Sequence, residues 1–257
     1  MTIIIISIFR PRLGRKTKQV VDEYSAGWES YASFLKDCNT LDEWLRIKAI
    51  EDQPDFYNIS GKLTYCSFDS NDHNRKLLLE TIKREFPNAT SITEFGCGIG
   101  RNLLYIKKNF PRMECYGYEL CMPGVDVARS AATKFGINVS YNQLDYVYAN
   151  DSSFVFSETD IAFTMYSLEQ LPDTNKKAME NILKHVKTGT VHIEPVPENY
   201  PYTMRGIIGR LNHWKANYLR NFERNVTSLS GIQIIRKRVN TSHSPLMFPT
   251  LYIIKKQ

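Results

Sequence analysis

Ile92-Thr93-Glu94-Phe95-Gly96-Cys97-Gly98-Ile99-Gly100 decides how this chain is read: an acid and three alternating glycines close a short apolar run and stand directly before a helical pattern. Glycine adopts backbone angles closed to other residues and has no side chain to hold a neighbour away. Three of them at this spacing let the chain turn sharply and let its backbone approach a ligand. The helix that follows offers unpaired N–H groups and a partial positive charge at its start, which suits an anionic ligand group. The dinucleotide pattern G-x-G-x-x-G would need its third glycine at position 101, where the chain has Arg101. Glu94 would repel a pyrophosphate; it suits a ligand carrying an ammonium or sulfonium.

Two further acids follow at the ends of later strand candidates. Residues 114–120 form a short apolar run ending in Glu119, 23 residues past Gly96, where one βα unit brings the next strand tip beside the first. A carboxylate there accepts both hydroxyls of a ribose. Residues 139–145 end in Asp145, placed to accept the exocyclic amine of an adenine. Each acid alone reads as a solvated loop residue, but three at successive strand ends point to one nucleoside ligand.

Taken together, Glu94–Gly100, Tyr116–Leu120 and Gln143–Tyr146 resemble the class I S-adenosylmethionine (SAM) dependent methyltransferases over residues 90 to about 195. The resemblance implies a cofactor site in which the loop of Gly96, Gly98 and Gly100 passes under the methionine part, Glu119 holds the ribose and Asp145 meets the adenine. Phe163–Pro172 is similar to the family's fourth motif, in which a strand ends facing the methyl donor, so Tyr166 is expected beside the cofactor. Many relatives carry histidine where this chain has Gln170.

The alternation of patterns gives the fold class. Strand candidates at 91–96, 114–119, 139–144, 160–166 and 189–194 alternate with helix candidates at 100–110, 124–135 and 175–186, which predicts an α/β fold with a parallel sheet covered on both faces. Right-handed crossovers place all five strand ends on one edge. Residues 231–239 and 250–255 read as an antiparallel closing pair. The whole is a Rossmann-like, seven-stranded, mostly parallel sheet with an antiparallel last strand. Residues 1–70 are expected to form a leader and N-terminal helical cap, with the stripe Val20, Tyr24, Trp28, Tyr31, Leu35 on one helix and Leu41–Ile50 on another. Asn71 or Asp72 is expected to cap the helix running to Phe86. Residues 71–257 are the SAM-binding domain, interrupted at about 198–229 by a helical cap insertion. There Arg205, Arg210, Lys215 and Arg220 recur every five residues, so they do not line one helix face.

Composition bounds the function. A chain of 257 residues, 42% apolar, fills one substantial core, and its five cysteines show no metal-ligand spacing, so no metal is expected and a reducing cytoplasm is the simple setting. The apolar Ile3–Ile6, Ile8 and Phe9 are followed by Arg10, Arg12, Arg15 and Lys16, too short a run to span a bilayer and in the wrong order for a secretory signal. Neither a membrane nor nucleic acid is the expected partner; a net charge of +6 is modest for the latter. No cysteine follows Cys121 to serve as a nucleophile for carbon-5 pyrimidine methylation, and Ser167–Gln170 stand where amino-methylating DNA enzymes carry Asn/Asp-Pro-Pro-aromatic. What remains is transfer of a methyl group to an O or N atom of a small molecule or glycan. The alternatives are an RNA methyltransferase and a catalytically silent SAM-binding protein. A base for the acceptor proton is sought among Glu169, Glu194 and His213, with His192 too deep on its strand to reach a substrate.

Overall fold

The computed structural model describes residues 17–46, 54–148, 157–239 and 241–257. The expectations for the first nine residues and for the end of the Leu41–Ile50 helix fall outside them.

The chain begins with α1 (Thr17–Asp37) and α2 (Leu41–Leu45). The α1 stripe forms a ladder of rings, Tyr24 to Trp28 at 5.8 Å and Trp28 to Tyr31 at 5.9 Å, that packs toward Trp44 of α2, a residue with no solvent exposure. Thr40 and Glu43 close a reciprocal capping box at the start of α2. A β-hairpin follows, β1 (Asp55–Ile59) against β2 (Lys62–Cys66). Its turn, Ser60–Gly61, has positive φ at both positions, the geometry that matches strand twist in a two-residue connection. The N-terminal cap is therefore not wholly helical. The two alternating runs around Ser60–Gly61 carry a hairpin signal that the helical reading of residues 1–70 passed over.

The remaining order is α3 (Ser70–Glu85), β3 (Ser91–Phe95), α4 (Arg101–Asn109), β4 (Glu114–Glu119), α5 (Met122–Lys134), β5 (Ser140–Gln143), β6 (Thr159–Met165), α6 (Asn175–Lys184), β7 (Val186–Glu194), α7 (Met204–Ala216), α8 (Phe222–Thr227), β8 (Ile232–Arg238) and β9 (Thr250–Lys256). Asp69, not Asn71 or Asp72, caps α3: its Oδ1 accepts the Asp72 N–H at 2.7 Å. Val186, the last residue of the helix candidate 175–186, already belongs to β7.

Seven strands form one sheet in the order β5-β4-β3-β6-β7-β9-β8. All pairs from β5 to β7 are parallel, and β9 runs antiparallel between β7 and β8. Leaving β3 toward β4 and β5 on one side and toward β6 and β7 on the other makes β3/β6 the switch point, where open α/β sheets leave a crevice outside the strand ends. Both faces are covered, as expected for a parallel sheet. Ile92, Phe163, Val191 and Ile253 face a core shared with α1–α5, whereas Phe95, Ala162, Tyr252 and Ile254 face α6 and α8. Each buried valine, isoleucine or phenylalanine among these contributes roughly 1.5–3 kcal/mol. This is the expected seven-stranded Rossmann-like architecture.

Candidate active site

The crevice at the switch point is a cavity of about 570 Å³. The glycine loop forms its floor, the strand tips carrying Glu94, Glu119 and Asp145 one side, and the loop after β6 another. Tyr24 and Trp28 of α1, with Tyr218, His243 and Met247, complete the wall. Of the residues expected at a site, Glu94, Gly96, Gly98, Glu119, Asp145, Tyr166 and Glu169 are brought together around this space. Gly100 lies behind the lining, and Glu194 and His213 are not brought to it.

All three loop glycines are left-handed, with φ of 74°, 52° and 76° at Gly96, Gly98 and Gly100. Their missing side chains leave room less for a ligand than for the protein itself. A Cβ on Gly96 would stand 1.8 Å from Ser167 Oγ, and one on Gly100 would stand 2.5 Å from the Tyr141 ring. The Gly98 position faces Trp28 at 3.0 Å. The loop is thus wedged between β5, the tip of β6 and α1. Gly96 and Cys97 both donate to the Tyr118 carbonyl, at 2.7 and 3.0 Å, which anchors the loop to β4. Gly100 caps α4 without a side-chain bond. The N-cap glycine therefore supplies no side-chain acceptor to the first turn of the helix, a setting that favours an anion.

Glu119 closes the second tip. Gly98 N–H donates to its Oε2 and Cys121 N–H to its Oε1, both at 2.9 Å, so both oxygens are held in place by the backbone. Burial raises its pKa from the ordinary value, opposed by these two N–H groups. Glu94 lies deeper. Asn102 on α4 donates to its Oε1 at 2.7 Å, while Oε2 is buried with no hydrogen-bond partner. Burial, aided by the nearby Glu119 charge, pushes its pKa up to about 8. A buried carboxyl with one orphaned oxygen on a cavity wall is the feature an ammonium would satisfy. Trp28 Nε1, a donor, is a second buried orphan on a residue lining the same cavity. Asp145, after the third tip, accepts the Val147 N–H at 3.0 Å and holds the turn bearing Tyr146.

At the fourth tip Tyr166 takes a left-handed conformation, φ 54°, which costs on the order of 1–3 kcal/mol in a residue with a side chain. Glu194 compensates. Its Oε1 accepts the N–H groups of Ser167 and Leu168 at 3.1 and 3.2 Å, and its Oε2 that of Glu169 at 3.3 Å. Fully buried and engaged on both oxygens, it clamps the loop instead of reaching a substrate, although burial lifts its pKa to about 7. His213 is also removed from the chemistry. It packs edge-on between Tyr200 and Tyr218, and burial lowers its pKa to about 4. His192 bonds Thr164 and Thr190, both at 2.8 Å, deep within β7 and its neighbour β6, with its pKa lowered to about 3 by burial.

A carboxylate and an imidazole also line the cavity near the β6 tip. Glu169 is buried and accepts from Gln170 Nε2 at 3.0 Å, so Gln170 orients the carboxylate here. His243, which sequence reasoning missed, turns its ring into the cavity 5.8 Å from the Tyr166 ring. The protein crowded around it lowers its pKa, which keeps the imidazole neutral at neutral pH. Its place depends on the hairpin. Asn58 and Ser242 exchange backbone hydrogen bonds at 3.1 and 2.8 Å, and Asn58 Nδ2 donates to the Met247 carbonyl at 2.8 Å. The β1–β2 hairpin therefore pins the β8–β9 loop over the crevice.

Residues 92–189 match the family model described as a methyltransferase domain. No curated protein sequence matches the chain. Among solved structures, it is similar to the plantazolicin methyltransferase BamL in complex with a triazolic desmethylPZN analog and SAH. The two are 12% identical over 94% of this chain and 99% of that one, with a TM-score of 0.56. It is similar to the [4+2]-cyclase SpnF at 14% identity over 95% and 98% of the two chains, TM-score 0.60. The magnesium protoporphyrin IX methyltransferase ChlM from Synechocystis PCC 6803 with bound SAH aligns at 10% identity over 73% and 85%, TM-score 0.55. At such identities the likeness is one of fold, which does not choose a substrate. Residues 92–189 thus match a methyltransferase-domain model, and the sheet order gives the chain the Rossmann-like fold of these solved structures.

Proposed function

We propose that the chain transfers the methyl group of SAM to an O or N atom of a small molecule or glycan held between the β6 tip and the caps. The observation that carries this reading is the set of three acids at successive strand tips around one cavity, with the deepest of them, Glu94, lacking a partner for one oxygen. Glu94 takes the ammonium of the methionine part, the uncapped start of α4 its carboxylate, Glu119 the ribose hydroxyls and Asp145 the adenine amine. Trp28 and Tyr166 enclose the cofactor, which supplies an electrophilic methyl on sulfur. The protein's own task is to hold the acceptor in line with that methyl and to exclude water. His243 and Glu169 are the groups facing the cavity that can receive the acceptor's proton. The aromatic and apolar wall of Tyr166, Tyr218 and Met247 favours an acceptor with a substantial apolar surface.

Calorimetry with SAM, its demethylated product and NAD tests the cofactor assignment. SAM and the product should bind and NAD should not, and Glu119→Ala should weaken SAM by about 1.5–3 kcal/mol, the worth of hydrogen bonds to a charged group. Unchanged affinity in that variant removes Glu119 from the ribose. Labelled SAM with metabolite extracts then separates transfer from silent binding.

A further inference from the structure

The outer face of α7 carries an apolar stripe that the fold leaves uncovered. Met204, Ile207, Leu211 and Trp214 follow one another at steps of three, four and three residues and are 75, 48, 52 and 67% exposed. At 100° per residue they occupy an arc of about 80° along a helix of roughly 20 Å. Tyr202, just ahead of the helix, is 89% exposed. The opposite side of the same helix is the one that packs inward, through Gly206, Gly209 and His213. Exposed large apolar residues scattered singly need no explanation; four in register on one helix do.

The charges beside the stripe indicate what meets it. Arg210 and Lys215 flank it on its two sides, and α7 contains no acidic residue. The Arg210 guanidinium bonds the carbonyls of Pro197 and Tyr200 and lies 4.4 Å from the centre of the Tyr202 ring, neutral partners that orient the charge without cancelling it. A second copy presenting the same face would set these cations against each other. A surface of anionic headgroups over apolar chains complements both parts: Trp214 and Tyr202 at the polar boundary, Ile207 and Leu211 below it, the cations among the headgroups. Among the described residues no helix is long and apolar enough to cross a membrane, so the contact is peripheral.

We propose that the outer face of α7, through Ile207, Leu211 and Trp214 with Arg210 and Lys215 at its margins, docks on an anionic lipid surface. Tyr218, in the segment leaving α7, lines the cavity, so the docked face adjoins the acceptor side of the site.

The test is co-sedimentation of the full chain with vesicles of phosphatidylcholine alone or with about 30% phosphatidylglycerol, at low and physiological salt. The anionic vesicles should retain the protein at least about tenfold better, with the advantage falling as salt rises. Trp214 emission should shift to the blue; Trp28 sits in the cavity wall and Trp44 is fully buried, so the exposed indole is the reporter. The double variant Ile207→Asp/Leu211→Asp should abolish retention while keeping the wild-type melting temperature and SAM affinity, and Lys215→Glu should weaken retention. Failure of the wild type to bind overturns the proposal. So does equal binding by the double variant, which assigns retention to the apolar residues at the start of the chain. A wild-type dimer in light scattering that the double variant disperses assigns the stripe to a second copy instead.

Discussion

If Glu94 takes up the cofactor's ammonium, SAM binding must release protons. With a pKa of about 8, the Glu94 carboxyl is about 0.9 protonated at pH 7 before binding. An opposite charge brought within about 4–6 Å lowers a carboxyl pKa by roughly 1–3 units, leaving it between nearly zero and about half protonated. Release from Glu94 is then about 0.4–0.9 proton. An α-amino group with pKa about 7.7–8.0 takes back roughly 0.1–0.2 proton as it becomes fully ionised, so the net release is about 0.2–0.8. Titration calorimetry at pH 7 in buffers of different ionisation enthalpy gives this number as the slope of observed enthalpy against buffer enthalpy. Glu94→Gln keeps the shape and the Asn102 contact but has no proton to lose. Its slope should fall to zero or change sign, and its affinity should drop by about tenfold or more. Net release of zero in the wild type, or the same release in both proteins, refutes the ammonium assignment without disturbing that of Glu119.

Other consequences concern the loops and the pH dependence of the fold. Gly96→Ala should lower both stability and SAM affinity, because the new Cβ meets Ser167 Oγ and the left-handed backbone costs about 1–2 kcal/mol more; Ser167→Gly should recover part of the loss, and independent effects of the two substitutions count against the wedge. Glu194→Ala strands three buried N–H groups and should cost about 3 kcal/mol or more in chemical denaturation, Glu194→Gln less; an unaffected Glu194→Ala protein refutes the clamp. For Glu94 and Glu194 the folded pKa lies above the unfolded 4.5, so the folded state retains protons the unfolded state loses, and their contribution to stability declines as pH rises from about 4.5 to about 7 or 8. For His192 and His213 the folded pKa lies below the unfolded 6.5, so their contribution declines as pH falls from 6.5 toward about 3 and 4, respectively. The melting temperature of the cofactor-free protein should therefore decline from pH 6.5 to 8, and Glu94→Gln should flatten the upper part of that decline; a decline unchanged in the variant refutes the buried acid's part in it.

The sheet was legible because its determinants are local. β4 occupies the expected residues, and β3 and β9 differ from the expected runs by one residue, since an apolar run bounded by glycine or proline and followed by a helical stripe has few other ways to bury itself. β7 begins three residues earlier than its pattern suggested. Gly189, the first residue of the expected run, lies inside the strand, where a Cβ would meet the Ile254 carbonyl of β9 at 2.2 Å. The glycine loop shows the same division. That three glycines mark a special turn is written in nine residues; that two of them make room for Ser167 and Tyr141 depends on strands far along the chain.

The acceptor side was the least legible part, and for one reason. Strand position says that Glu194 stands at a tip, but not that three N–H groups from the next loop converge on it, which turns a candidate base into a clamp. Helix periodicity says equally little about His213, whose neutrality comes from two tyrosines and burial. The hairpin that the helical reading of the leader missed and the histidine absent from the candidate bases are one omission, because pairing of Asn58 with Ser242 is what carries His243 to the crevice. Removing that coupling should separate its parts. Asn58→Ala deletes the side-chain bond to the Met247 carbonyl and leaves the paired backbone in place. It should therefore reduce methyl transfer by loosening the loop that bears His243 while leaving SAM affinity near the wild-type value, since neither residue belongs to the three cofactor-facing tips. A parallel loss of cofactor binding would mean that the hairpin supports the glycine loop as well, and the division of the crevice into a cofactor side and an acceptor side would fail.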